Sequence, residues 1–202
     1  MTYTTTKPLT FAEFLQVCPE DGSYELIDGE IVKVDSIGSN KSVSRFLMFT
    51  LNDEIRRLTL DYVVDKDIAI RTFTNSGTER GRRPDVSVVE KRIWQRYLNT
   101  YVGIVEPLQL AVEVVSTNWE DDYVDKLDEY QRSGIFEYWI VDYLAIASRS
   151  YLGNPKVPTV LVYQLVEGVY QMSKYTGSDR IISSTFPELE LTVSAIIKAS
   201  QG

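Results

Sequence analysis

The chain of 202 residues contains no histidine and a single cysteine, Cys18. The first absence excludes Ser-His-Asp and Cys-His nucleophile systems, HExxH zinc proteases and nucleases whose general base is histidine. The second excludes a disulfide framework and a cysteine-rich zinc site. Chemistry here must therefore rest on carboxylates, lysine, tyrosine, serine or arginine. No GxGxxG or GxxxxGK[ST] loop occurs, so Rossmann and P-loop sites have no support. No run of roughly 18 apolar residues exists, which leaves no transmembrane helix and no membrane partner to expect. The opening MTYTTTKPLTFAEF lacks the basic-then-apolar pattern of a signal peptide, and a cytoplasmic protein is expected.

What is present suits one compact domain over residues 1–202, with 44% hydrophobic residues to bury. The formal net charge of -8 argues against a large nonspecific nucleic-acid footprint. The charge is uneven, however. Basic residues outnumber acidic ones seven to three between Arg71 and Arg96, whereas acids dominate from Glu113 to Asp142. A carboxylate-rich patch beside a basic loop suits a metal bound next to a polyanion; two solvated surfaces are the plainer alternative.

Local patterns predict a mixed α/β domain. Thr10-Phe11-Ala12-Glu13 has the form of a capping box opening a short helix that ends before Pro19. SYELIDGEIVKVD reads as a hairpin with a type I′ turn at Asp28-Gly29. Apolar residues at helical spacing predict a long amphipathic helix over 40–60. YVVDKDIAIRTF, TNSGTERGRR and PDVSVVE read as strand, loop and strand, and RIWQRYLNTY as a short helix. A strand around LQLAVEVVS, a helix over 120–133 closed by Gly134, and a strand EYWIVDY follow. A hairpin about Glu167-Gly168 and a short helix in TVSAIIKAS complete the chain.

The stretch LQLAVEVVS carries the first functional hint. Read as a strand it buries both faces, yet Glu113 stands in its middle, and an unpaired ionised carboxylate in an apolar interior costs several kcal/mol or more. Asp85 opens a second apolar strand after Pro84 and faces the same way as Ser87 and Val89; alone it could be a simple turn residue. Opposed side chains on neighbouring strands lie ~5 Å apart, close enough to share a hard cation. Lys126, on the next helix, falls near Tyr123 and Tyr130 at the edge of the packed face. It is a third member of the cluster, or else a surface lysine paired with Asp122 or Glu129.

YELIDGEIV, RRPDVSVV, LAVEVVS, DKLDEYQRSGIFEYWIVD and VYQLVEGVYQM stand in an order that resembles the Uma2 family of restriction endonucleases, itself similar to the PD-(D/E)xK nucleases. The resemblance spans roughly residues 9 to 197. It implies a restriction-endonuclease-like fold, α/β (α+β), with a central mixed sheet flanked by helices and terminal hairpins. It also implies a phosphodiesterase site using Mg²⁺ (or Mn²⁺), with nucleic acid, DNA first of all, as partner and a homodimer as an assembly it allows. Asp85 matches the motif aspartate and Glu113 the second acid, and both would hold the metal with the carbonyl of Val114. Glu25 matches a third acid that binds or orients a metal or water; a cross-strand surface partner in its hairpin is the other reading.

Three departures stand out. The superfamily's lysine usually follows the second acid by two residues, where this chain has Val115, and Lys126 matches a lysine supplied from the following helix. The histidine often found before the long helix is missing from GSNKSVS, and STNWEDD replaces a proline-containing run, which would reshape the site mouth around Trp119. In the expected chemistry the metal polarises the phosphate and lowers the pKa of the attacking water. Lys126 orients that water or stabilises transition-state charge, while Arg71, Arg82 and Arg83 hold the substrate backbone. A non-catalytic binding protein keeping the fold and a metal-dependent hydrolase of small phosphoesters remain open alternatives.

Overall fold

A computed structural model of the chain describes residues 7–66, 68–99 and 103–201. Helix α1 (Phe11–Val17) starts at the expected capping box, with Thr10 and Glu13 exchanging side-chain to backbone hydrogen bonds. Strands β1 (Ser23–Ile27) and β2 (Glu30–Val34) form the expected hairpin. Asp28 and Gly29 both have positive φ, 51° and 82°, the signature of the type I′ turn. The long helix α2 (Gly38–Leu58) ends on Thr59 in the left-handed region.

The next segment differs from its sequence reading. YVVDKDIAIRTF is two strands, β3 (Tyr62–Asp65) and β4 (Ala69–Phe73), which belong to different sheets. Part of the expected loop is a strand, β5 (Glu79–Arg82), paired with both β4 and β1. Its inward residues Arg80 and Arg82 are charged, so no apolar alternation betrays it. Strand β6 (Val86–Glu90) and helix α3 (Lys91–Trp94) follow; Thr100 and Tyr101, at the end of the expected helix, lie outside the described residues.

The chain continues through β7 (Gly103–Ile104), β8 (Leu110–Val114), a wide π turn (Asp121–Asp125), α4 (Lys126–Arg132) and β9 (Glu137–Asp142). Helix α5 (Arg149–Leu152), the β10–β11 hairpin (Thr159–Val166, Val169–Thr176) and α6 (Val193–Ala199) close it.

The strands form two mixed sheets rather than one. The smaller has the order β2-β1-β5-β4-β7 and the larger β11-β10-β9-β8-β6-β3, with β8 and β9 parallel at its centre. Helices α2 and α6 pack on one face of the larger sheet, around Val112, Trp139 and Val160. Helix α4 covers the other face through Tyr130 and reaches the smaller sheet through Glu129. Helix α1 covers the far side of the smaller sheet with Phe11 and Phe14. The β8 alternation is as expected at the key position: Val112 and Val114 face α2, while Ala111 and Glu113 face α4. The architecture is thus a mixed α/β fold with sheets flanked by helices.

Candidate active site

Between β5 and β6 only Arg83, Pro84 and Asp85 separate the two sheets. Proline suits this crossing because no ladder hydrogen bond is asked of it. Val86 pairs with Val112, so the same register, one residue further, brings Asp85 opposite Glu113. Asp85 Oδ2 accepts a hydrogen bond from Val114 N at 2.8 Å, and its Oδ1 has no hydrogen-bond partner among the described residues. Asp85, Glu113 and Lys126 all line one cleft of about 990 Å³, which runs between the β1–β2 hairpin and the first half of α2.

Glu113 is 3% exposed and fully partnered. Tyr130 donates its hydroxyl to Oε1 at 2.6 Å, and Lys126 Nζ lies 3.0 Å from Oε2. The same ammonium donates to Asp122 Oδ1 at 3.0 Å and stands 4.0 Å from Asp121 Oδ2. Lys126 thus pairs with Asp122, as the surface-lysine reading had it, but not at the surface: it stands with Glu113 and Asp122 in one cluster. It is buried rather than at the edge, at 8% exposure. The π turn bears Asp122 and Tyr123, and both point inward beside it; such turns recur at functional sites.

Burial pushes the carboxyls of Glu113 and Asp122 upward despite Lys126, and raises Asp85 to about 6 despite the Val114 hydrogen bond. Burial disfavours the Lys126 ammonium too, but Asp122 and Glu113 outweigh it and hold the proton on. Three carboxylates thus face one cation. That excess of negative charge, with one Asp85 oxygen uncommitted, fits a hard divalent cation, which prefers oxygen ligands and retains waters. Among the described residues no three acidic or thiol side chains cluster as a metal site, so a cation on this pair would keep most of its coordination as water.

The remaining candidates separate. Glu25 is buried, not on the hairpin surface: it accepts from Arg82 Nη1 and from Arg83 N, each at 3.0 Å. Arg82, expected to hold substrate, is instead fully buried. Its guanidinium forks onto Glu129 at 2.9 and 2.8 Å and also reaches Glu25 and Asp121. Burying an arginine requires such partners, and satisfying them leaves it no donor for a ligand. Arg71 lies on the opposite face of its sheet from Arg82, where it pairs with Glu79 and sits over the Phe73 ring. Arg83 does line the cleft, with Nε donating to the Tyr24 carbonyl. Trp119 packs edge-on against Tyr123 and Tyr151 instead of shaping the site mouth.

Two residues of the site escape the sequence reading as functional groups. Asp122 had a signal, four residues before Lys126 on one helix face. Asn40 had none beyond its place in GSNKSVS. Its Nδ2 donates to the carbonyls of Val114 and Val115 at 3.2 Å, and its Oδ1 accepts from Tyr143. The carbonyl expected to face a metal is therefore anchored from α2.

Comparison with known proteins gives the family and the fold. The Uma2 family model, described as "Putative restriction endonuclease", matches residues 11–194. A solved structure described as a "putative nuclease belonging to DUF820" from Anabaena variabilis is similar in fold, with a TM-score of 0.71 at 18% identity. The match covers 96% of this chain and 99% of that one. No match was found among curated proteins.

Proposed function

The chain belongs to the Uma2 family, and from that premise we propose that it is a Mg²⁺- or Mn²⁺-dependent nuclease hydrolysing phosphodiester bonds of nucleic acid. One observation carries the reading: Asp85, Glu113 and Lys126 converge on the floor of a single cleft although 41 positions separate the first from the last. Asp85 and Glu113, with the Val114 carbonyl, would hold the cation. When bound it supplies Lewis acidity toward the phosphate and a more acidic water.

The chain's own residues do the rest. Lys126, kept charged by Asp122 and Glu113, places a fixed positive charge where negative charge grows on the phosphate, a contact worth about 10²–10³-fold in rate. Tyr130 and Lys126 fix the rotamer of Glu113 from both oxygens. Arg82 aligns Glu25, Asp121 and Glu129 behind the site and acts as a positioning residue.

The test is cleavage of plasmid and oligonucleotides with Mg²⁺ or Mn²⁺, comparing wild type with Asp85→Ala. Loss of cleavage in a variant that still folds supports the reading; wild-type protein without divalent-dependent cleavage overturns it. The withdrawal of Arg71 and Arg82 from the cleft favours one second reading, a hydrolase of small phosphoesters. Preference for mononucleotide diesters over oligonucleotides would select it.

A further inference from the structure

We propose that α2 is the wall of the cleft that binds nucleic acid, with Lys41, Arg45 and Lys66 on the phosphates and Phe49 against a base of a single strand. The proposal rests on the nuclease reading of the acid cluster and assigns its substrate contacts. Lys41, Ser44, Arg45, Met48 and Phe49 line the cleft at helical spacing, so they share one face of α2. The row from Lys41 to Phe49 is ~12 Å long at the α-helical rise. Lys66 joins it from the end of β3 by donating to Ser44 Oγ at 2.8 Å.

These cations differ from most others in the chain. Arg57, Arg80, Arg82, Arg96, Arg132 and Arg180 each hold a carboxylate. Among the described residues, no carboxylate lies within ion-pair distance of Lys41, Arg45 or Lys66. Lys41 and Arg45, beside the cleft, lose little when they bind a phosphate, because no ion pair must be given up, and Lys66 gives up only its neutral hydrogen bond to Ser44.

The opposite rim supplies the direction. Glu20, Asp21 and Asp35 line it against a single cation, Lys33, so the hairpin side keeps a net negative charge and a polyanion entering the cleft is drawn to α2. At the far end of the row Phe49 is 56% exposed. An aromatic ring beside a cationic track is the combination that holds a single strand, phosphates on the charges and a base on the ring, without sequence preference.

The experiment measures anisotropy of fluorescein-labelled mixed-sequence oligonucleotides, single-stranded and duplex, in EDTA across a salt series. Wild type, Lys41→Ala/Arg45→Ala and Phe49→Ala are compared, with melting temperatures confirming that each variant folds. The proposal expects the double variant to flatten the slope of log affinity against log salt by ~1.4, two single-strand phosphate contacts. It expects Phe49→Ala to weaken single-strand binding about 10-fold while changing duplex binding less. Wild-type affinity and slope in the double variant overturn the α2 assignment. Hydrolysis of bis(p-nitrophenyl) phosphate by wild type, measured in parallel, separates the two levels. A protein that hydrolyses it with Mg²⁺ but behaves identically after the α2 substitutions refutes this proposal alone. A wild-type protein that neither hydrolyses it nor cleaves plasmid or oligonucleotides with Mg²⁺ or Mn²⁺ refutes the nuclease reading as well.

Discussion

Replacing Lys126 by methionine keeps the length of the side chain and removes its charge. In the folded protein the ammonium lies 3.0 Å from both Glu113 and Asp122, with Asp85 nearby. At an effective dielectric of ~20, each contact is a gross attraction of about 5 kcal/mol, much of it offset by the desolvation of the lysine. Without the cation, a buried carboxylate escapes its penalty by taking up a proton. That proton costs about 1.4 kcal/mol for each pH unit above the carboxylate's ordinary pKa of ~4. Because burial already pushes these carboxyls up in the wild type, the expected destabilisation is at most about 4 kcal/mol at pH 7 and about 1 kcal/mol at pH 5, within the range for breaking a buried pair. Urea unfolding of both proteins at the two pH values measures it. Saturating Mg²⁺ should narrow the gap at pH 7, because a divalent cation on Asp85 and Glu113 takes over part of the neutralisation. Equal penalties at pH 5 and pH 7, or a loss below about 1 kcal/mol at pH 7, would refute the reasoning. Lys126 would then be solvated, not clamped between two acids.

Asp85 gives a pH dependence of its own. Its folded pKa of about 6 exceeds the ordinary 3.8, so the folded state binds the proton more tightly. Metal-free stability should then fall as pH rises from about 4 to about 6, by up to about 3 kcal/mol, and melting curves of Asp85→Asn should lack that share of the fall. Arg82→Met should cost about 3–5 kcal/mol in urea unfolding by removing the cation shared by Glu25, Glu129 and Asp121; Arg82→Lys should not restore it, since one ammonium cannot make the fork onto Glu129.

The parts of this protein legible in its sequence are those where local chemistry and tertiary packing agree. The Thr10 box, the Asp28-Gly29 and Glu167-Gly168 turns, α2 and the two-sided burial of β8 all follow from short-range patterns. The demand of Glu113 for a partner was legible too, because burial of a charge is a question only a second charge answers. Much of what escaped has one physical cause: charge placed inside. Strand β5 reads as a loop because its inward residues are arginines, and their neutralisation by Glu129 lies 47 positions away along the chain from Arg82. The same burial removes Arg82 from the surface role its composition suggests. Partition of the strands into two sheets depends on where YVVDKDIAIRTF breaks, and no proline or glycine marks that break. Asn40 anchors two carbonyls that every sequence possesses, so nothing local distinguishes it.

The three-residue crossing from β5 to β6 has a mechanical consequence. Arg83 is clamped to β1 through its backbone and side chain, and Pro84 has its φ fixed by the ring. Little torsional slack is left between the sheets. A twist of the smaller sheet against the larger is not absorbed along the way but delivered to the next residue, Asp85, where it works against the hydrogen bond that ties this side chain to Val114, next to Glu113 in the middle of the larger sheet. The spacing of the two acids is thereby geared to the angle between the sheets, and whatever wedges or clamps the cleft between them also sets that spacing.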